Sequence, residues 1–364
     1  MSGFSVQPTA LETYAKMLGK DSGGLSGKCD TDAKTYIEKW ARLKSGSGGL
    51  IFGLLVGKVN AVCEKMDHDY AAIATCLSRS STGLTASAST YRDQAKSTAA
   101  HLDSVYKPGG VVPLDDGVDD KSPAPDPSLA LAEPSGDGAV PDLAQQILDG
   151  AGFFSESEIV FKILSLCGLD VEGWVKDRFV GNLEEVAQSR NAIKNLATFD
   201  ESTASTVSEG ANSISISWRG NAASAATSYF DHLANGVEEH STSLSQVAQR
   251  YDAIVIAIQQ AGSAVMGFLT ELIDYAVELA ASLAAAGCLQ EVPVLDVIMD
   301  VVGAWKVVRL IKKIREFVNM WNNIWSGGEG LVAAMTGLVG GLAGYDTSTA
   351  LPKSGYHNDA QRGH

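Results

Sequence analysis

Apolar residues recur every three or four positions along two long stretches in the second half of the chain. One runs through Val186, Ile193, Leu196, Ala204, Val207, Ala211 and Ile214. The other runs through Ala226, Phe230, Leu233, Val237, Leu244, Val247, Tyr251, Ile254 and Ile258. That spacing builds one apolar face on an α-helix. Between the two stands Ser217-Trp218-Arg219-Gly220-Asn221, where glycine permits a backbone reversal closed to most residues. The pattern predicts an antiparallel helical hairpin with an indole packed at its tip.

The second arm continues through Val265, Phe268, Leu272 and Tyr275 into the small residues from Ala280 to Ala286, and Gly287 and Pro293 break it. Ile159 to Leu166, and Trp174 to Phe179, predict two short helices ahead of the hairpin. A last helix is predicted from Leu295 to Trp325, stopped by Gly327-Gly328. Leu331 to Leu342 is apolar and glycine-rich. The end, from Tyr345 to His364, is polar and reads as a mobile tail.

The first hundred residues repeat the helical theme. Leu11, Tyr14, Ala15 and Leu18 open one apolar face, resumed at Ala33, Tyr36, Ile37, Trp40 and Leu43. Ser45 to Gly49 signals a turn. A second arm follows through Val59, Val62, Met66, Tyr70, Ile73, Leu77, Leu84 and Tyr91. Between the halves the composition changes sharply. Seven of the ten prolines lie between Lys107 and Asp142, together with a run of Asp and Glu. Proline removes backbone donors and like charges repel, which predicts an extended, flexible linker. The expected architecture is all-α: a helical-hairpin domain over 1–106, an acidic Pro-rich linker over 107–144, a long hairpin module with packing helices over 145–345, and a polar tail over 346–364.

Charge and composition narrow the function. A formal net charge of −15 argues against nucleic acid as a partner, because phosphate binding needs clustered Lys and Arg. The opening Met1 to Pro8 has neither the basic start nor the apolar run of a conventional signal peptide. Ala253 to Thr270 is uncharged but interrupted by Gln259, Gln260 and Ser263, and a spanning helix wants about 20 predominantly apolar residues. It reads as a buried helix, with membrane insertion as the alternative. The five cysteines form no CxxC pair. Cys29 and Cys63 sit at similar distances from the first turn, so a disulfide and two buried thiols are both open readings.

No catalytic constellation accompanies these patterns. Asp67-His68-Asp69 reads as a solvated helix face, and His232 and His240 are too far apart for the i, i+4 pair of a zinc helix. There is no phosphate-cradling glycine loop and no GxSxG. The expectation is a non-enzyme with no cofactor and no metal. One local charge reversal stands out in the last helix. Lys306, Arg309, Lys312, Lys313 and Arg315 interleave with its apolar face. Such a stripe can lie on an anionic membrane or face a partner, or it can pair with Glu271, Asp274 and Glu278.

The run from Trp218 through Gly220-Asn221-Ala222-Ala223 to Tyr229-Phe230, Leu233 and Glu238-Glu239-His240 resembles the WXG superfamily of type VII (ESX) secretion proteins. Over roughly residues 170–325 it is similar to the long helical module of larger actinobacterial type VII substrates and secreted polymorphic toxins. Phe4 to Pro8 with Leu11, and the Leu84 to Tyr91 segment, resemble small ESX secretion-associated proteins related to EspC. The resemblance implies export without a cleaved signal peptide, to the envelope or medium. It implies partners in the secretion machinery, a small helical partner or self-association, and a structural or recognition role for Trp218 and Gly220. The chain departs from the family in lacking a clean YxxxD/E signal: Tyr275 has Glu278 three places on, not four. The other functions left open are a membrane-active helical protein and a toxin-delivery module without its effector.

Overall fold

The computed structural model describes residues 5–21, 23–44, 48–105, 125–136, 142–153, 158–288, 295–326 and 331–357. The fold is all-α, as its periodicity predicts. Helices α1 (Pro8–Leu18), α2 (Leu25–Gly27), α3 (Lys34–Tyr36) and α4 (Leu50–Val105) make the first half, with wider π turns at Lys28–Ala33 and Ile37–Ala41. Helices α5 (Leu143–Gly150), α6 (Glu158–Leu166), α7 (Val171–Phe179), α8 (Leu183–Ser217) and α9 (Asn221–Ala285) follow. The last are α10 (Leu295–Ile298), α11 (Ala304–Ser326), α12 (Leu331–Leu342) and α13 (Thr347–Ala350). Side-chain oxygens start several of them. Asp142, Asp170, Asn182 and Asp346 each accept from a backbone N–H in the first turn, satisfying donors that the helix itself cannot.

Helix α9 is the axis of the molecule. Its first half runs antiparallel to α8, with Asp200 opposite His240 and Ser189 opposite Tyr251. Because α9 has 65 residues and α8 only 35, the far half of α9 outruns its partner. Helices α5, α6 and α11 cover that overhang, and Trp174 and Phe179 of α7 pack on Trp321 of α11. The overhang includes the uncharged stretch from Ala253 to Thr270, on whose outer side Ile256 is 52% exposed. It belongs to the one described helix long and apolar enough to cross a membrane. Here Ile254, Ile258, Ala261, Val265 and Leu269 are buried in the core.

The two halves share that core. Tyr14 of α1 donates to the Val207 carbonyl of α8 at 2.8 Å, Ser189 of α8 donates to Ala41 at 2.5 Å, and the rings of Tyr70 and Phe199 meet at 6.0 Å. The acidic segment takes part. Among its described residues, 125–136, Asp126 pairs with Lys28 at 2.5 Å. The Ala132 carbonyl accepts from Tyr36 and Asn195, and the Ser135 carbonyl from Asn191. Proline-rich extended backbone leaves its carbonyls unpaired, and side chains of both hairpins use them. This portion is therefore docked rather than a free linker. Most of the acidic stretch, 106–124 and 137–141, lies outside the described residues, as do Ser45 to Ser47, Pro293 and Gly327-Gly328.

Residues 345–357, expected to be mobile, are also docked. Tyr345, Leu351 and Tyr356 are buried against α4 and α9, with the short helix α13 between the first two. The Tyr356 backbone N–H donates to Ser80 Oγ at 3.3 Å, and Tyr229 donates to the Ser354 carbonyl at 2.9 Å. Gly83 lets the strap approach, since a Cβ there would collide with the Tyr356 carbonyl. Gly83→Ala is therefore expected to unseat the strap while leaving α4 helical. Limited proteolysis should then cut within 345–357 several-fold faster than in the parent.

All five cysteines are free thiols, so Cys29 and Cys63 are not bridged. Burial pushes the Cys63 thiol up to about 12, which keeps it protonated and unreactive at neutral pH.

Candidate functional site

The Trp218 turn draws together parts of the chain that are remote in sequence. Helix α8 ends as Trp218 turns extended, its N–H still bonded to Ile214 at 2.8 Å. The Arg219 N–H then donates to the Ser5 carbonyl at 2.8 Å, a bridge that pins the N-terminal segment to the tip. Gly220 follows at φ 119°, ψ −177°, a conformation essentially reserved for glycine, and α9 starts at once. Gly220→Ala is expected to cost about 1–3 kcal/mol through backbone strain. Urea denaturation would read this as a lower midpoint at unchanged slope.

The Trp218 indole is 2% exposed. It lies edge-on to Tyr91 of α4 at 6.0 Å and to Tyr356 of the strap at 6.2 Å. Tyr356 in turn contacts Phe230 and Tyr229, and Phe230 contacts Tyr14. Edge-to-face arrangements suit the quadrupoles of these rings. The indole N–H has no hydrogen-bond partner. At this turn the outward groups are Ile216, 75% exposed, together with Arg219, Gly220 and Asn221. The indole itself is a packing element.

About five turns down the hairpin sits a charge cluster that periodicity alone passed over. Asp69 of α4, Asp200 of α8 and His240 of α9 are all buried. His240 Nδ1 is 2.8 Å from Asp200 Oδ2, and its Nε2 is 3.7 Å from Asp69 Oδ2. Lys65 reaches in from the rim, 2.5 and 2.7 Å from the Asp69 oxygens, and also donates to the Tyr345 carbonyl at 3.2 Å. The Tyr70 and Tyr345 rings wall the imidazole at 5.1 and 4.8 Å. Asp200 Oδ1 and His240 Nε2 have no hydrogen-bond partner. Burial holds the Asp200 carboxyl above the usual carboxylate range, against the pull of His240.

The Asp67-His68-Asp69 triplet thus splits three ways. Asp67 pairs with Arg42 at 2.6 Å, the His68 side chain is 73% exposed, and Asp69 is fully buried. The expectation of a solvated face holds for His68 and fails for Asp69, because Asp69 follows Met66 by three residues and falls on the buried side of α4. The cluster joins three helices and the strap by charge. It sets the Asp69 and Asp200 carboxyls on either side of the imidazole, with Lys65 beside Asp69. Among the described residues no group of three or more His, Cys, Asp or Glu could hold a metal ion.

The basic stripe of α11 resolves into individual pairings. Lys306 bonds Glu278 at 3.2 Å and Lys313 bonds Glu271 at 3.1 Å, both on α9. Lys312 is 3.9 Å from Glu316 on its own helix, and the Arg309 guanidinium lies 5.4 Å from the centre of the Tyr275 ring.

Fold and site together define an all-α protein organised around a long antiparallel helix pair, with a glycine-dependent reversal and a buried charge cluster. No protein-family model matches the chain, and no curated protein or solved structure matches it.

Proposed function

We propose that this chain is a non-enzymatic helical protein of an actinobacterial type VII (ESX) secretion system, either an exported substrate or a secretion-associated factor. The observation that carries the reading is the α8/α9 pair reversing through Trp218-Arg219-Gly220. This is the arrangement that the WXG resemblance implies. On this reading the protein works by helix pairing and surface recognition. Trp218 and Gly220 shape the tip, and the outward Ile216 and Arg219 present it to the machinery. The protein is made in the cytoplasm and reaches the envelope or medium by a signal-peptide-independent route. A small helical partner supplies the YxxxD/E signal that this chain lacks.

The reading predicts physical association. Cross-linked and purified from an actinobacterium, the tagged chain is expected to enrich type VII ATPase or a small WXG-type partner over a control protein of similar size and charge. Recovery with neither, at equal cross-linking yield, contradicts it.

A further inference from the structure

We infer that the outer face of α11 is a docking surface for an anionic lipid membrane, on which the protein lies without inserting a helix. Trp305 and Val308 stand on one face of α11 and are 62% and 60% exposed; Val301, 38% exposed, lies in the turn before it. The face continues into exposed Arg309, Lys312 and Arg315. Gly303 kinks the chain just before α11, and the Trp305 ring lies beside its backbone at the helix start. An amphipathic aromatic ring next to a basic helical surface is what a lipid interface accommodates. The indole sits among headgroups, and the long cationic side chains reach the phosphates.

Three features favour lipid over a protein partner. First, the apolar part of this α11 face is two side chains, far short of the roughly 800 Å² per partner of a stable protein interface. Second, Lys306 and Lys313 neutralise Glu278 and Glu271 of α9, which leaves Asp274 as the exposed acid of α9 flanking this face. Asp300 and Glu316 are the exposed acids left on it, and Lys312 partly offsets Glu316. Third, the rest of a chain of net charge −15 is repelled by anionic lipid, so the basic face alone can approach. Repulsion and attraction are both confined to about a Debye length, ~10 Å at 0.1 M salt. The surface is independent of the secretion reading, and its test uses only purified protein.

The test is co-flotation of the full-length chain with vesicles containing phosphatidylglycerol, and with vesicles of phosphatidylcholine alone, at low and high salt. Binding is expected only with phosphatidylglycerol, with release at high salt. Trp305→Ser is expected to lower the bound-to-free ratio several-fold, and separately the Lys312→Gln, Arg315→Gln pair by about 25-fold, since each basic group near the surface contributes about fivefold. Circular dichroism and the melting temperature should stay unchanged, because all three side chains are exposed. Absence of flotation at low salt overturns the inference. So does equal binding to phosphatidylcholine, or binding that both variants leave intact. Dimerisation lost in Trp305→Ser, in a chain that does not float, would assign the face to a second copy instead.

Discussion

Replacing His240 by leucine is expected to destabilise the fold by ~3–5 kcal/mol, although leucine fills much the same space. The imidazole stands between Asp200 and Asp69 in a site closed to water, and its loss leaves two buried carboxylates facing one ammonium. Restoring the charge balance should restore the fold. Asp200→Asn in the His240→Leu background is expected to recover a large part of the loss, a non-additivity that a double-mutant cycle measures directly. Simple additivity of the two substitutions would mean that the residues do not act as a charge unit.

The same cluster fixes the sign of one pH dependence. The Asp200 carboxyl titrates above its ordinary value in the folded chain, so the native state holds a proton that the unfolded state has released. Its contribution is fully present below the usual carboxylate pKa of about 4 and is lost as pH rises through the raised native value. Glu12 beside Arg92 and Asp126 beside Lys28 are shifted down and act oppositely. Their contribution is lost as pH falls through their lowered native values, and as exposed pairs they contribute little. Urea denaturation at stepped pH should therefore show the parent losing stability relative to Asp200→Asn as pH rises above about 4.

Trp218→Ala is expected to cost ~3–5 kcal/mol, the range for truncating a buried aromatic side chain. It should act beyond the tip, because Tyr91 and Tyr356 both lean on the indole. Residues 345–357 would lose an anchor and become open to proteolysis. Trp218→Phe is expected to cost only ~1 kcal/mol. The ring contacts survive, and a buried indole N–H without a partner is removed, which offsets part of the smaller volume. A phenylalanine as damaging as alanine would mean that the indole N–H has a partner after all.

How far the sequence foretold this fold depends on what each element needed. Long arms were legible because one apolar face repeats over many turns: Leu196, Val207 and Val237 are buried as their spacing demands. Gly220 was legible because reversal at a tip needs its backbone freedom. The charge cluster was visible only as gaps. Between Leu196 and Ala204 a four-residue step lands on Asp200, next to the buried Phe199. Between Val237 and Leu244 the missing member is His240. A polar residue at a core position of three facing helices is a signal, but each helix shows it alone, and pairing across helices is a tertiary fact. The docked strap was hidden for a related reason. Tyr345, Leu351 and Tyr356 have no helical period, and their burial depends on a groove between α4 and α9 that no local pattern describes. The α11 lysines resolved toward pairing because α9 carries acids at positions 271 and 278, two turns apart on the face they meet.

On the proposed function, this helical body is cargo or a helper of type VII secretion. Export from an actinobacterium, compared between strains with an active and an inactivated type VII ATPase, tests it most directly. The chain should appear in the culture filtrate or envelope only when the ATPase works, with a cytoplasmic marker absent from both fractions. Retention in the cytoplasm of both strains, with small helical partners co-expressed, would contradict it, as would equal release from both.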